Sequence, residues 1–166
     1  MSINGFAQRL VDALRSRMNA GRRRTSGLRE RPIHDIVVYG IQPFAYVAVY
    51  WKSLSNGRGP GASLYVHDEE VLRLDCFGEG AGHYHVNLSA TGWHGTDDEN
   101  RIFFREQTIP DQIERAAFEL TRNAGYYLRR NRDPRVRRIT FNPQRLAEVA
   151  DQMKAKMREY AQKVVI

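Results

Sequence analysis

Cysteine is almost missing from this chain: Cys76 is the only one in 166 residues. That excludes an internal disulfide framework and every zinc pattern built on paired cysteines. Long apolar runs are missing too. None approaches the roughly 20 residues needed to span a bilayer. The longest candidate, Phe44 to Trp51, is strand-sized and rich in β-formers. The N-terminus lacks the continuous apolar block of a secretory signal, because Arg9, Asp12, Arg15 and Arg17 interrupt its apolar residues. These absences predict a cytoplasmic protein with no transmembrane segment. There is no Gly-x-Ser-x-Gly elbow, no P-loop ending after Asn56–Gly61 and no EF-hand spacing, so no motif names a reaction.

What is present is a globular composition, 42% hydrophobic and 27% charged, in a chain long enough to bury a core. The net charge of +7 invites a nucleic-acid reading, but the charge is split along the chain. Residues 1–31 carry eight arginines against two acids, and residues 122–166 carry twelve bases against four acids. Between them, residues 32–121 carry six bases against thirteen acids. Basic ends therefore flank an acidic centre that they are able to neutralise, in this chain or in a second copy.

The apolar pattern changes period in the same three blocks. Phe6, Leu10, Leu14 and Met18 recur every four residues and predict an amphipathic helix over about residues 4–19, followed by a basic connector. Ile36–Tyr39, Phe44–Trp51, residues 63–67, 71–77 and 83–89 read as short strands, with Ser53–Gly61 as a glycine-rich loop. From Pro110 onward, Ile113, Ala117, Leu120, Ala124 and Leu128 make one helical face. Val136–Phe141 suggests a further strand. Asn142-Pro143 then opens a last helix with a seam of Leu146, Val149, Met153, Met157, Tyr160 and Val164. The expected fold is α+β: an antiparallel or mixed sheet of four to six strands, with an N-terminal helix and two C-terminal helices packed against it. Residues 1–31 form the helix and connector in this reading, and residues 32–166 a single α+β domain.

One strand carries candidate chemistry. His83 and His85 alternate onto one face, with Asn87 and Ser89 beyond them, while Tyr84, Val86 and Leu88 take the other. The preceding strand offers Arg73, Asp75 and Phe77 opposite Leu72, Leu74 and Cys76. A five-residue loop over Gly78–Gly82 would place Asp75 across from His85, Phe77 across from His83 and Arg73 across from Asn87. Two histidines and a carboxylate suit a divalent metal ion, with His67 or His94 closing in. Alternatively, the same Asp75 would orient His85 as a general base. His83-Tyr84-His85 lacks the downstream glutamate and second motif of the cupin metal site. It also lacks the repeated His-x-Thr/Ser of two-histidine phosphoesterases, so no family is assigned.

Two function classes follow. The first is a non-enzymatic binding or assembly module that self-associates through the C-terminal seam as a homo-oligomer. It would bind nucleic acid or another anionic partner through Arg22, Arg23, Arg24, Arg129, Arg130, Arg135, Arg137 and Arg138, with Tyr126 and Tyr127 available to stack on bases. The second is a small enzyme or ligand-binding protein built on Asp75, His83 and His85, with Arg73 and Asn87 beside them. The acidic loop Asp97–Asn100 after Gly92–Gly95 would serve as a lid or simply as a solvated turn.

Overall fold

A computed structural model describes residues 33–54, 57–87 and 101–164. Six strands, β1 (Ile33–Gln42), β2 (Ala45–Leu54), β3 (Gly57–Val66), β4 (Glu69–Asp75), β5 (His83–Val86) and β6 (Ile102–Phe103), pair in chain order as one sheet. Every pairing is antiparallel, as the short connections from β1 to β4 require of those strands. The β1–β2 and β3–β4 turns each place one residue in the left-handed region, Phe44 and His67, and the two rings stack with centroids 5.1 Å apart.

Helices follow the sheet. Helix α1 (Ile109–Phe118) starts at Thr108, whose hydroxyl caps the amide of Asp111. It runs through a π-helical turn (Glu119–Asn123) into α2 (Ala124–Arg129). Then come the single turn α3 (Pro134–Arg137) and the long α4 (Pro143–Ala161), whose cap is the side chain of Asn142. The π turn rotates Glu119 into the interior. There it accepts from Asn123 at 2.7 Å and Tyr127 at 2.6 Å, with Arg115 also at 2.6 Å. Helix α4 lies against β1, β2, β3 and α1, and Leu146, Val149, Met153, Met157 and Tyr160 pack into one core with Val47, Val49, Leu64, Leu72 and Leu74.

The expected fold class needs correction. The described chain begins with strands, every described helix follows the sheet, and no N-terminal helix is among the elements. Residues 4–19, on which that helix was expected, lie outside the described residues. The expected strand over Val136–Phe141 is also overturned. Asp133 caps the amide of Arg135 and Pro134 sits in the first turn, so local capping makes α3 where β-branched residues suggested a strand.

Most of the expected glycine-rich loop is strand β3. Gly59 and Gly61 are glycines because neighbours come too close for a Cβ. A Cβ on Gly59 would lie 2.4 Å from the Cys76 carbonyl oxygen, and one on Gly61 would lie 2.4 Å from the Tyr50 ring. The strand thus makes room on its surface for side chains from its neighbours.

Candidate metal centre

Alternation along the strands sorts residues onto two faces. Val47, Val49, Ala62, Leu64, Leu72, Leu74 and Cys76 meet the helices. Tyr50, Lys52, Ser63, Arg73, Asp75, His83 and His85 take the reverse face, and Asp75, His83 and His85 are 0%, 4% and 2% exposed. One potential ligand atom from each of these three lies within 4.8 Å of the other two.

The register differs from the expected one by two residues. Asp75 stands opposite His83, and Arg73 opposite His85. The amide of Cys76 donates to Pro60 across β3, so the β4–β5 connection begins at Cys76 and is longer than Gly78–Gly82. A shift of two keeps every side chain on its face, which is why the cluster still forms. Gln112 holds this connection from α1: its side chain bonds the amide and the carbonyl of Gly78 at 3.0 and 2.9 Å.

Two members of the cluster are each aimed by a specific neighbour. Asp75 Oδ2 accepts from Lys52 Nζ at 2.7 Å, and Lys52 is itself only 8% exposed. Its other oxygen, Oδ1, is buried with no hydrogen-bond partner. His83 Nδ1 lies 2.7 Å from the Ala81 carbonyl oxygen. A carbonyl only accepts, so Nδ1 carries the proton and the neutral ring keeps its lone pair on Nε2, 3.5 Å from Asp75 Oδ2. His85 Nδ1 is a second buried atom without a partner. The rings of His83 and His85 meet edge to face at 4.9 Å, with Phe77 and Phe103 against His83.

Electrostatics keep both imidazoles neutral. Burial, then the charge of Arg73, pulls His85 down to about 4 from the ordinary 6.5. Burial also lowers His83, against the pull of the Ala81 carbonyl and Asp75. Burial alone would raise Asp75, but the charges of Lys52 and Arg73 overcome it and hold the carboxyl below its ordinary 3.8. Arg73 is clamped by Glu70 through two bonds of 2.8 and 2.7 Å, and Glu70 accepts from Ser63 at 2.7 Å. The set at neutral pH is one carboxylate and two neutral imidazoles, the protonation that a metal ion requires.

Lys52 was not singled out from the sequence. Its signal was parity: it shares the face of Ala48 and Tyr50 at the end of an otherwise apolar strand. Asn87 leaves the cluster. Its backbone is left-handed, and its side chain donates to the Tyr127 carbonyl at 3.1 Å and accepts from Asn131 at 2.8 Å. His67 sits at the far end of β4, and His94 lies outside the described residues, as do Asp97–Asn100. The Asp75–His85 general-base pair is not formed, since Asp75 pairs with Lys52 and faces His83.

Some of the basic and helical candidates have partners within the chain. The α4 seam from Leu146 to Tyr160 is buried in this chain's own core. Arg135 is chelated by Asp133 and Arg130 lies over the Tyr126 ring. Arg137 donates to the carbonyls of Asn131 and Arg132. Arg22, Arg23 and Arg24 lie outside the described residues. Among the described residues, no helix is long and apolar enough to cross a membrane. No family model, no curated protein and no solved structure matches the chain. The protein is thus a small α+β chain with a buried Asp/His/His cluster suited to a metal ion.

Proposed function

We propose that this protein is a metal-binding protein that holds one divalent first-row ion, zinc foremost, between Asp75, His83 and His85. One observation carries the reading: Asp75 Oδ1 and His85 Nδ1 are both buried and both without a partner. Orphaned buried polar atoms are rare in native interiors and cost about 1–3 kcal/mol each. A cation between them relieves both at once.

The surroundings support the same reading. Lys52 engages only one carboxylate oxygen, and Ala81 fixes the His83 tautomer that leaves Nε2 as a donor. Such neighbours are what orient metal ligands. Two imidazoles and a carboxylate suit zinc and other first-row ions, and three protein ligands leave a position for an exogenous one. Ligand atoms in a tetrahedral zinc site stand about 3.3–3.6 Å apart, given bonds of ~2.0–2.2 Å. Closing onto the ion therefore draws together any pair that stands as far apart as 4.8 Å by about 1.2–1.5 Å.

The test is calorimetric titration of tag-free, chelator-stripped protein with zinc chloride. One equivalent should bind and raise the melting temperature, by the equivalent of about 2.7 kcal/mol at a free zinc concentration a hundredfold above Kd. His85→Ala should abolish both effects, and His67→Ala should leave them intact. Absence of binding in the wild-type chain, or equal binding by the two variants, removes the reading.

A further inference from the structure

On the helical side, away from the histidine face, a cleft of about 630 Å3 opens between the π turn with α2 and the segment that leads into α4. Its size falls within the usual range for small-molecule sites. Arg122, Arg129 and Arg137 line it, and no carboxylate does. Leu128, Phe141 and Leu146 give it an apolar floor.

A helix C-terminus explains a cation at Arg129. It does not explain Arg122, a full two turns earlier, or Arg137 from a different helix, converging on one concavity. Arg122 and Arg129 have no hydrogen-bond or ion-pair partner among the described residues. Arg137 is held in place by two backbone carbonyls at 2.9 and 2.7 Å, which use one end of its guanidinium. Gly125 sits under Arg129, with the guanidinium 3.6 Å from where a Cβ would stand. The π turn that carries Arg122 is an irregularity often found at functional sites.

We propose that this cleft binds a small organic anion, a carboxylate or phosphate monoester carrying a hydrocarbon body. The guanidinia take the charged head by bidentate hydrogen bonding, and Leu128, Phe141 and Leu146 cover the body. A polynucleotide would find the charge but would leave the apolar floor unused.

Calorimetry on the full chain with four probes tests this: octanoate, octyl phosphate, inorganic phosphate and octanol. At least one of the first two should bind about tenfold or more tightly than inorganic phosphate and octanol, and whichever is tighter identifies the head group. Arg122→Gln with Arg129→Gln should weaken binding by about tenfold or more. Ala147→Phe, at an exposed position of the cleft wall, should block it without changing the thermal midpoint. The proposal is overturned if neither amphipathic anion binds at millimolar concentration, or if binding ignores both variants. A single-stranded oligonucleotide that binds through these arginines without competition from octanoate overturns it as well.

Discussion

Where β2, β3 and β4 face the helices, Val47, Val49, Leu64, Leu72 and Leu74 form an apolar layer. On the reverse of the same strands, Tyr50, Lys52, Ser63, Glu70 and Asp75 form a polar layer that is also buried. The apolar layer stabilises the fold by about 25 cal/mol for each Å2 removed from water. Charges in the polar layer each cost several kcal/mol to desolvate, and pairing at best offsets this. Tyr50, Ser63, Glu70 and Arg73 close their hydrogen bonds on one another. Next to them, Asp75 and His85 keep open valences. One face is therefore explained by folding, and the other carries two buried atoms that folding leaves unpaired.

The comparison breaks most sharply at Lys52. Lys52→Met strands the Asp75 carboxylate and should cost about 3–5 kcal/mol in urea unfolding. Lys52→Met combined with Asp75→Leu should recover most of that loss, because the polar layer is not needed for folding. A single variant that costs under about 1 kcal/mol would mean that water already reaches this pair.

On the apolar face, Leu72→Ala should cost about 2–5 kcal/mol, the usual range for a cavity in a packed core. It should leave zinc binding per folded molecule unchanged, whereas His85→Ala should do the reverse. Gly61→Ala pushes a methyl group into the Tyr50 ring and should cost about 1–3 kcal/mol. A neutral result there would show that β3 can move away from its neighbours.

Acid gives the mildest and most graded test. The folded chain resists protonation of His85 down to about 4, whereas the ordinary value is 6.5. The unfolded state therefore binds the proton first, and stability is full above about pH 6.5 and declines as pH falls from there through about 4. Asp75, held below 3.8, adds a further loss at lower pH. Urea midpoints across this range should show the first decline, and His85→Gln should remove only part of it, since burial lowers His83 as well. Midpoints that stay level between pH 7 and pH 4 would place His85 in contact with solvent.

The two faces were legible in the sequence to different depths. Period-two alternation separates His83 and His85 from Tyr84 and Val86 without any knowledge of pairing, so the face and its three candidate ligands could be read directly. Pairing depends on where one amide bonds, and nothing local announces that Cys76 bonds to Pro60. The first half of strand β3 was hidden because glycines read as loop, and only the tertiary neighbours Tyr50 and Phe77 show why side chains are absent there, whereas its second half was expected as a strand over residues 63–67. The α4 seam was read as apolar, to pack on the sheet or on a partner helix, and Leu146 to Tyr160 pack on the chain's own sheet. Asn87 was lost to the cluster because a left-handed residue ends the alternation.

The proposed metal centre requires Asp75, His83 and His85 to close around one ion. X-ray absorption fine structure of the zinc-loaded, tag-free protein measures that directly. Two imidazole nitrogens and carboxylate oxygen at about 2.0–2.2 Å, with no sulfur, is the shell expected from these residues. A shell without imidazole scattering, or a protein that takes up no ion, contradicts it.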